Sequence, residues 1–222
     1  EDKLDLARRL GASVTVNVPV GGVTVDTRYG SLTVNPDGTW RYTSDTTESN
    51  LNGVSDAFSY TITDRDGSTD TATQPLTITD TQPTPSTTVS LTVAEEALTT
   101  GSNPGSGHGA SANLGITKGQ DAIADVKFTT ATIEGLTKQN LTSGGVALTY
   151  TISADGHTLT AKAGASGSVI FTLTLNNATD ASGASQSVTM DLQGPLDHAA
   201  VAGKNDLGIT VGYTVSDTDS SI

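Results

Sequence analysis

The chain has 222 residues, a net charge of −13 and no cysteine. Its acidic excess repels phosphate groups, so nucleic acid and anionic membranes are not expected as partners, and clustered carboxylates favour bound cations such as calcium. The lack of cysteine excludes disulfides and cysteine-ligated zinc as sources of rigidity.

The first residues predict a short helix. Leu4, Ala7 and Leu10 recur at a spacing of three, and Gly11 is a helix stop. Because so short a helix is marginal alone, we interpret residues 2–10 as a boundary segment or a packing cap. We find neither a membrane-spanning run nor a Sec signal, which fits a fragment or a protein exported through a signal beyond residue 222.

From residue 13 onwards apolar and polar residues alternate, which predicts β-strands. The segment NPDG at 35–38 has proline and glycine where a tight turn needs them, so we expect a hairpin there. Trp40 and Tyr42 share a strand face, and we interpret them, together with Phe58 and Tyr60, as core residues rather than a ligand platform. The strands predicted in this first segment are 14–18, 23–25, 31–34, 39–43, 58–63 and 75–79.

A connector, DTQPTPSTT at 80–88, contains two prolines and no apolar residue. It predicts a domain boundary, so we assign residues 1–82 to a first domain and 83–222 to a second, larger one. In the second, SADG at 153–156 predicts a hairpin turn, and the glycine-rich stretch 101–112 predicts an exposed loop. The strands predicted there are 89–93, 126–133, 146–152, 157–163, 168–175, 186–192 and 207–215. The fold class expected is all-β, as tandem β-sandwiches after a short N-terminal helix.

An internal repeat links the two segments. YTITDRDGS at 60–68 recurs as YTVSDTDSS at 213–221, at a constant offset of 153. We infer that one structural unit occurs twice. Because a closing strand follows the first copy only, we expect the second domain to lack its last strand or to receive one from a neighbouring segment.

The strongest candidate site is the pattern D-x-D-G-x-x-x-D, formed by Asp64, Asp66 and Asp70 around Gly67. Alternating carboxylates and a glycine that lets the backbone bend can surround a calcium ion with oxygen atoms. The pattern is not an EF-hand, because it lacks a glutamate at the twelfth position and flanking helices. The alternative is a pair of solvated turns in which the carboxylates bind nearby backbone amides.

Other acids extend this calcium hypothesis. Asp80 precedes the connector while Glu95 and Glu96 follow it, so carboxylates from both sides of a joint can share an ion and stiffen it. Asp217 and Asp219 repeat the first aspartate pair, with serine in place of glycine.

Little in the sequence indicates catalysis. His108, His157 and His198 are far apart, so we interpret them as surface residues rather than zinc ligands. No nucleophile elbow, phosphate-binding loop or dinucleotide motif occurs. Aromatic residues, which a sugar cleft needs for stacking, make up only 4% of the chain. We therefore expect no enzymatic activity.

Longer motifs carry a family resemblance. YGSLTVNPDGTWRYT at 29–43 and DAFSYTITDRDGSTDTATQPLTITD at 56–80 resemble the immunoglobulin-like or cadherin-like repeats of large type I secreted adhesins of the repeats-in-toxin (RTX) class. TVAEEAL at 92–98, SADGHTLTA at 153–161 and GPLDHAAVAGKNDLGITVGYTVSDTD at 194–219 resemble a longer repeat of the same adhesins. The resemblance implies β-sandwiches and calcium ligands at Asp64, Asp66, Asp80, Asp217 and Asp219, with contributions from Glu95 or Glu96 and with Asp197 as a further candidate.

The resemblance also implies a function. We expect an extender or scaffold segment of a bacterial surface adhesin, extracellular and monomeric, whose partners are calcium ions and adjacent repeats. The first alternative is a module that binds a glycan or peptide through residues 99–125 or an exposed face, or a split domain that carries such a module. The second is an accessory domain of a wall-associated enzyme.

Overall fold

The computed structural model describes residues 20–45, 53–63, 65–85, 89–105, 108–198 and 206–218. The chain is all-β, as predicted, and it divides into two compact units, Glu1–Thr81 and Gln82–Ser220. The helix predicted at 2–10 and the strand predicted at 14–18 lie outside the described residues.

The first unit contains five described strands in two antiparallel groups. The predicted hairpin at 35–38 is confirmed: it joins the second and third strands, and Gly38 has a φ of +84°, which favours glycine. The strands are β1 (Val23–Asp26), β2 (Gly30–Val34) and β3 (Trp40–Ser44) in one sheet, and β4 (Val54–Thr63) and β5 (Thr69–Ile78) in a long hairpin.

The β4–β5 hairpin is longer than predicted. The prediction was too short because the additional strand residues are mostly polar and give a weak alternation signal. The two strands are in register from Val54 opposite Ile78 to Thr63 opposite Thr69. One face of the hairpin carries a ladder of hydroxyl groups, in which Ser59 Oγ contacts Thr73 Oγ1 at 2.8 Å and Thr61 Oγ1 contacts Thr71 Oγ1 at 2.8 Å. Such cross-strand pairs support a strand register without apolar burial.

The opposite face of the hairpin is apolar but only partly covered. Trp40 and Phe58 pack edge to face with ring centroids 5.0 Å apart. However, Trp40 is 44% exposed and Tyr60 is 50% exposed, so the prediction that they are core residues is wrong. Alternation along β4 places Tyr60 and Ile62 on the same face as Phe58, but further along the strand than the contact with Trp40. Among the described residues of this unit, Leu32 is the one buried apolar side chain, at 7% exposed.

The second unit is a layered β-structure around one apolar core. A six-stranded antiparallel sheet has the order β7-β13-β12-β11-β10-β9, and two further pairs are β14–β6 and β15–β8. The strands are β6 (Val89–Ala94), β7 (Gly109–Asn113), β8 (Ile123–Lys127), β9 (Thr142–Ser143), β10 (Val146–Ile152), β11 (Thr158–Ala163), β12 (Val169–Asn176), β13 (Ser187–Leu192), β14 (Asp206–Val211) and β15 (Thr214–Asp217); a 3-10 turn spans Glu95–Ala97 and helix α1 spans Thr130–Thr137.

The core of the second unit follows from strand alternation. In β12 and β13 alternate residues point inward, so Phe171, Leu173 and Met190 are fully buried. They join Ile209 from β14 and Leu136 from α1 in a single cluster. Burial of side chains of this size is the main stabilising contribution to such a fold.

Three predicted elements of the second unit need correction. The strand predicted at 126–133 ends at Lys127 and is followed by α1, because Thr129 and Thr132 form a reciprocal capping box that begins a helix. The strand predicted at 207–215 is interrupted at Gly212 and becomes β14 and β15, which pair with β6 and β8. The loop predicted at 101–112 includes most of β7, whose small residues give a weak strand signal.

The two copies of the internal repeat have different surroundings. In the first copy, Tyr60 lies in β4, which pairs with the strand that follows it. In the second copy, the Tyr213 hydroxyl donates to the Leu114 carbonyl, and β15 pairs with the earlier strand β8. The similar sequences therefore occupy different strand arrangements.

Candidate functional site

The first acidic motif lies at the tip of the β4–β5 hairpin. Asp66 is in the turn, where its Oδ1 accepts the Ser68 N–H at 3.0 Å, and Gly67 has a φ of +92°. Asp70 lies in β5 opposite Ile62, and its Oδ1 accepts the Thr71 N–H at 2.9 Å. Both are local hydrogen bonds from backbone amides to carboxylates, of the kind expected if the motif forms solvated turns instead of a calcium site. Asp64 lies outside the described residues.

Asp80 is remote from this tip along the hairpin. It follows the end of β5 and is half-buried. Asp70 lies at the opposite end of the same strand, and an extended chain rises about 3.3 Å per residue. The two carboxylates therefore cannot share an ion.

Glu95 binds the segment that follows β13. Its side chain is 16% exposed, its Oε1 accepts the Leu196 N–H, and its Oε2 accepts a hydrogen bond from His198 Nε2 at 2.9 Å. Glu96, the next residue, lines a neighbouring open cleft of about 280 Å³ together with Pro195. This volume is at the lower limit of small-molecule pockets, so the cleft does not by itself indicate a ligand.

Asp197 closes the turn between β9 and β10. Its two carboxylate oxygens accept the N–H groups of Gly144 at 2.9 Å and Gly145 at 2.7 Å. The hydrogen bond from Gly145 is the main reason that the pKa of Asp197 is lowered. Both glycines have positive φ, as a two-residue hairpin requires. The structure therefore gives Asp197 a role in holding a turn.

The second aspartate pair is described only in part. Asp217 is the last residue of β15, is 2% exposed and lies opposite Ile123 of β8. Asp219 lies outside the described residues. Across the part of the chain that the structure describes, no three histidine, aspartate or glutamate side chains form a group that could hold a metal ion.

A carboxylate that the sequence reasoning missed organises the loop between β12 and β13. Asp180 accepts hydrogen bonds from the backbone and hydroxyl groups of both Ser182 and Ser185. These bonds, led by the one from the Ser185 hydroxyl, lower the pKa of Asp180 to about 2. The sequence does carry a signal for this loop, because serines two and five residues after an aspartate can bond to its carboxylate.

Replacing Asp180 should change the acid stability of the second unit. A folded-state pKa of about 2, below the ordinary 3.8, stabilises the fold above pH 3.8, and this stabilisation is lost as the pH falls towards 2. We expect Asp180→Asn to melt at a lower temperature than the wild type at pH 7, and the difference to shrink between pH 4 and pH 2. Thermal melting across this pH range measures the effect, with Glu134→Gln, at an exposed position of α1, as the control. A difference that is constant with pH would contradict the assignment.

All three histidines are paired with carboxylates rather than with one another. His108 Nδ1 lies 3.1 Å from Asp191 Oδ1, and His157 Nε2 lies 2.7 Å from Asp125 Oδ1. Burial opposes ionisation of Asp125, but hydrogen bonds from His157, Lys127 and the Val126 N–H keep its pKa below the ordinary value. The histidines therefore link segments distant in sequence, which no local pattern could reveal.

These features define an all-β chain in which several acidic side chains hold turns and others pair with histidines. Residues 7–79 match the family model of the bacterial Ig domain, so the first unit is a bacterial Ig-like domain. No curated protein and no solved structure matches the chain.

The matched family narrows the class of function. Bacterial Ig domains form a structural, non-catalytic fold family and are typical of extracellular or surface proteins. None of the helices in the described ranges has the length and apolar character needed to cross a bilayer.

Proposed function

We propose that the chain is a structural extender or scaffold segment of a bacterial surface adhesin of the RTX class, exported by type I secretion, that supports attachment or biofilm formation. The observation that carries this proposal is the match of residues 7–79 to the bacterial Ig domain, followed along the chain by a second all-β unit. In this role the chain is an extracellular monomer without enzymatic activity, and its neighbours are adjacent repeats.

Calcium is the proposed cofactor. Carboxylate oxygens, together with carbonyl groups exposed at glycine turns such as Gly67, are the hard donors that calcium prefers. The donor chemistry fits, and because no three acids of the described residues lie together, we expect a complete site to include an acid outside those residues, such as Asp64 or Asp219. The net charge of −13 further favours bound cations.

Calcium should lengthen and stabilise the protein. Extracellular sites have dissociation constants of about 0.1–1 mM, so millimolar calcium adds on the order of 1 kcal/mol per site. We expect small-angle scattering to give a larger maximum dimension with calcium than with chelator, and we expect the melting temperature to rise. Magnesium at equal ionic strength is the control, and Asp66→Asn should reduce the response. An unchanged scattering profile and melting temperature would contradict the calcium role.

A binding module is the second candidate function, and one observation favours it. Trp40, Tyr60 and Ile62 are 44%, 50% and 65% exposed on the first unit, and exposed aromatic groups of this kind mark interaction surfaces. Saturable, calcium-dependent binding on a glycan or peptide array would favour this candidate over the extender. Flat progress curves in hydrolase assays would argue against an accessory role in a wall-associated enzyme.

A further inference from the structure

The outer edge of β14 is occupied by a side chain instead of a strand. Among the described strands, β14 pairs with β6 alone. On the other side, Gln139 Nε2 donates to the Thr210 carbonyl at 2.7 Å, and Gln139 Oε1 accepts the Thr210 N–H at 3.1 Å. One amide group thus makes with Thr210 the two hydrogen bonds that a residue of a neighbouring strand would make.

Helix α1 places this amide. Gln139 lies in the turn after α1, and its Nε2 also contacts the Gly135 carbonyl at 3.3 Å. One face of the helix is fixed to the same edge, because Thr132 Oγ1 donates to the Gly212 carbonyl at 2.9 Å. Leu136 of this helix is fully buried in the core. The helix is therefore anchored at Gly212, just after β14, and brings the Gln139 amide to the strand edge at Thr210.

The described residues leave the other half of this edge uncovered at Gly208. In an antiparallel pair, backbone groups point alternately towards the partner strand and away from it. Because the Thr210 groups point away from β6, the groups of Gly208, two residues earlier, also point away. Gly208 is exposed, and a Cβ atom there would meet nothing within 4 Å. A glycine in a strand with open space around it permits another backbone to approach closely.

We propose that the Gln139 amide stands in for a neighbouring strand at Thr210 and thereby keeps β14 from pairing with β14 of a second copy of this chain. A two-fold antiparallel pair centred on Gly208 would place the backbone of Asp206 opposite that of Thr210. Such self-pairing needs no other partner, because each copy supplies the same edge. It also needs both groups of Thr210, which Gln139 occupies. Unprotected edges of this kind are the usual route to strand addition.

Gln139→Ala should convert the monomer into a dimer. In light scattering of the full chain we expect a monomer mass for the wild type and about twice that mass for the variant at high concentration. Gln139→Glu should behave similarly, because a carboxylate cannot donate to the Thr210 carbonyl. Lys138→Ala, in the same exposed turn, is the matched control and should remain monomeric.

A second variant tests which surface is used. Gly208→Pro removes an outward N–H that β6 does not use, so the double variant Gln139→Ala/Gly208→Pro should return to the monomer. Hydrogen exchange should show faster exchange of the Thr210 amide in dilute Gln139→Ala than in the wild type, and renewed protection in its dimer. A monomeric Gln139→Ala at every concentration, or a double variant that still dimerises, would overturn the proposal.

Discussion

Phe171→Ala should strongly destabilise the second unit. Phe171 is 0% exposed at the centre of β12, with Leu192 opposite it on β13 and the Tyr150 ring 6.4 Å away between centroids. Removing a buried phenyl ring leaves a cavity and costs about 3–5 kcal/mol of unfolding free energy. Thr172→Ala, on the opposite face of the strand, is the control and should cost far less.

The single tryptophan makes this experiment specific. Trp40 lies in the first unit, so its fluorescence reports unfolding of that unit, while circular dichroism reports the whole chain. In Phe171→Ala, the part of the urea transition that dichroism assigns to the second unit should move to lower denaturant concentration. The fluorescence transition should stay in place. An equal shift of both transitions would contradict independent unfolding of the two units.

Glu95→Ala should release the segment that follows β13. The Glu95 carboxylate accepts hydrogen bonds from the Leu196 N–H and from His198, and Leu196 is 3% exposed. Removing an acceptor from a buried N–H leaves that donor unsatisfied, and a hydrogen bond to a charged group contributes about 1.5–3 kcal/mol. We expect a lower melting temperature and faster exchange of the Leu196 amide.

Glu96→Ala is the matched control for this prediction. The described residues give the Glu96 side chain no hydrogen bond or ion pair, so its loss should leave stability and exchange nearly unchanged without calcium. If calcium raises the melting temperature of the wild type, the size of this rise in the two variants also shows which of the two carboxylates contributes to calcium binding. Equal destabilisation by both substitutions in chelator would contradict the structural role assigned to Glu95.

Strand alternation was sufficient to predict most of the fold. Apolar and polar residues alternate along β2, β10 and β12. The turns at 35–38 and 153–156 carry proline or glycine at the positions where the backbone must bend sharply. Helix α1 was not predicted because its residues, TATIEGLT, include three threonines, which favour strands. The reciprocal cap between Thr129 and Thr132 nevertheless begins a helix there. The glycine pair at 144–145 was a hairpin signal that the strand reasoning did not use.

The side-chain contacts were harder to predict because most of them join distant segments. Glu95 was singled out as a possible calcium ligand, but its contact with His198 crosses 103 positions. Asp197 was likewise singled out from its motif, and its binding of two glycine amides depends on a turn 52 and 53 residues earlier. Local hydrogen bonds, such as the one from the Ser68 N–H to Asp66, could instead be predicted from nearby residues.

The register of the β4–β5 hairpin bears on how the first unit responds to tension. The chain enters β4 at Val54 and leaves β5 at Ile78, and these two residues are opposite each other at one end of the ladder. A force pulling these two residues apart therefore acts on one rung at a time, as in a zipper, instead of shearing all rungs together. Asp66, at the far tip, is the last part of the hairpin that such a pull reaches.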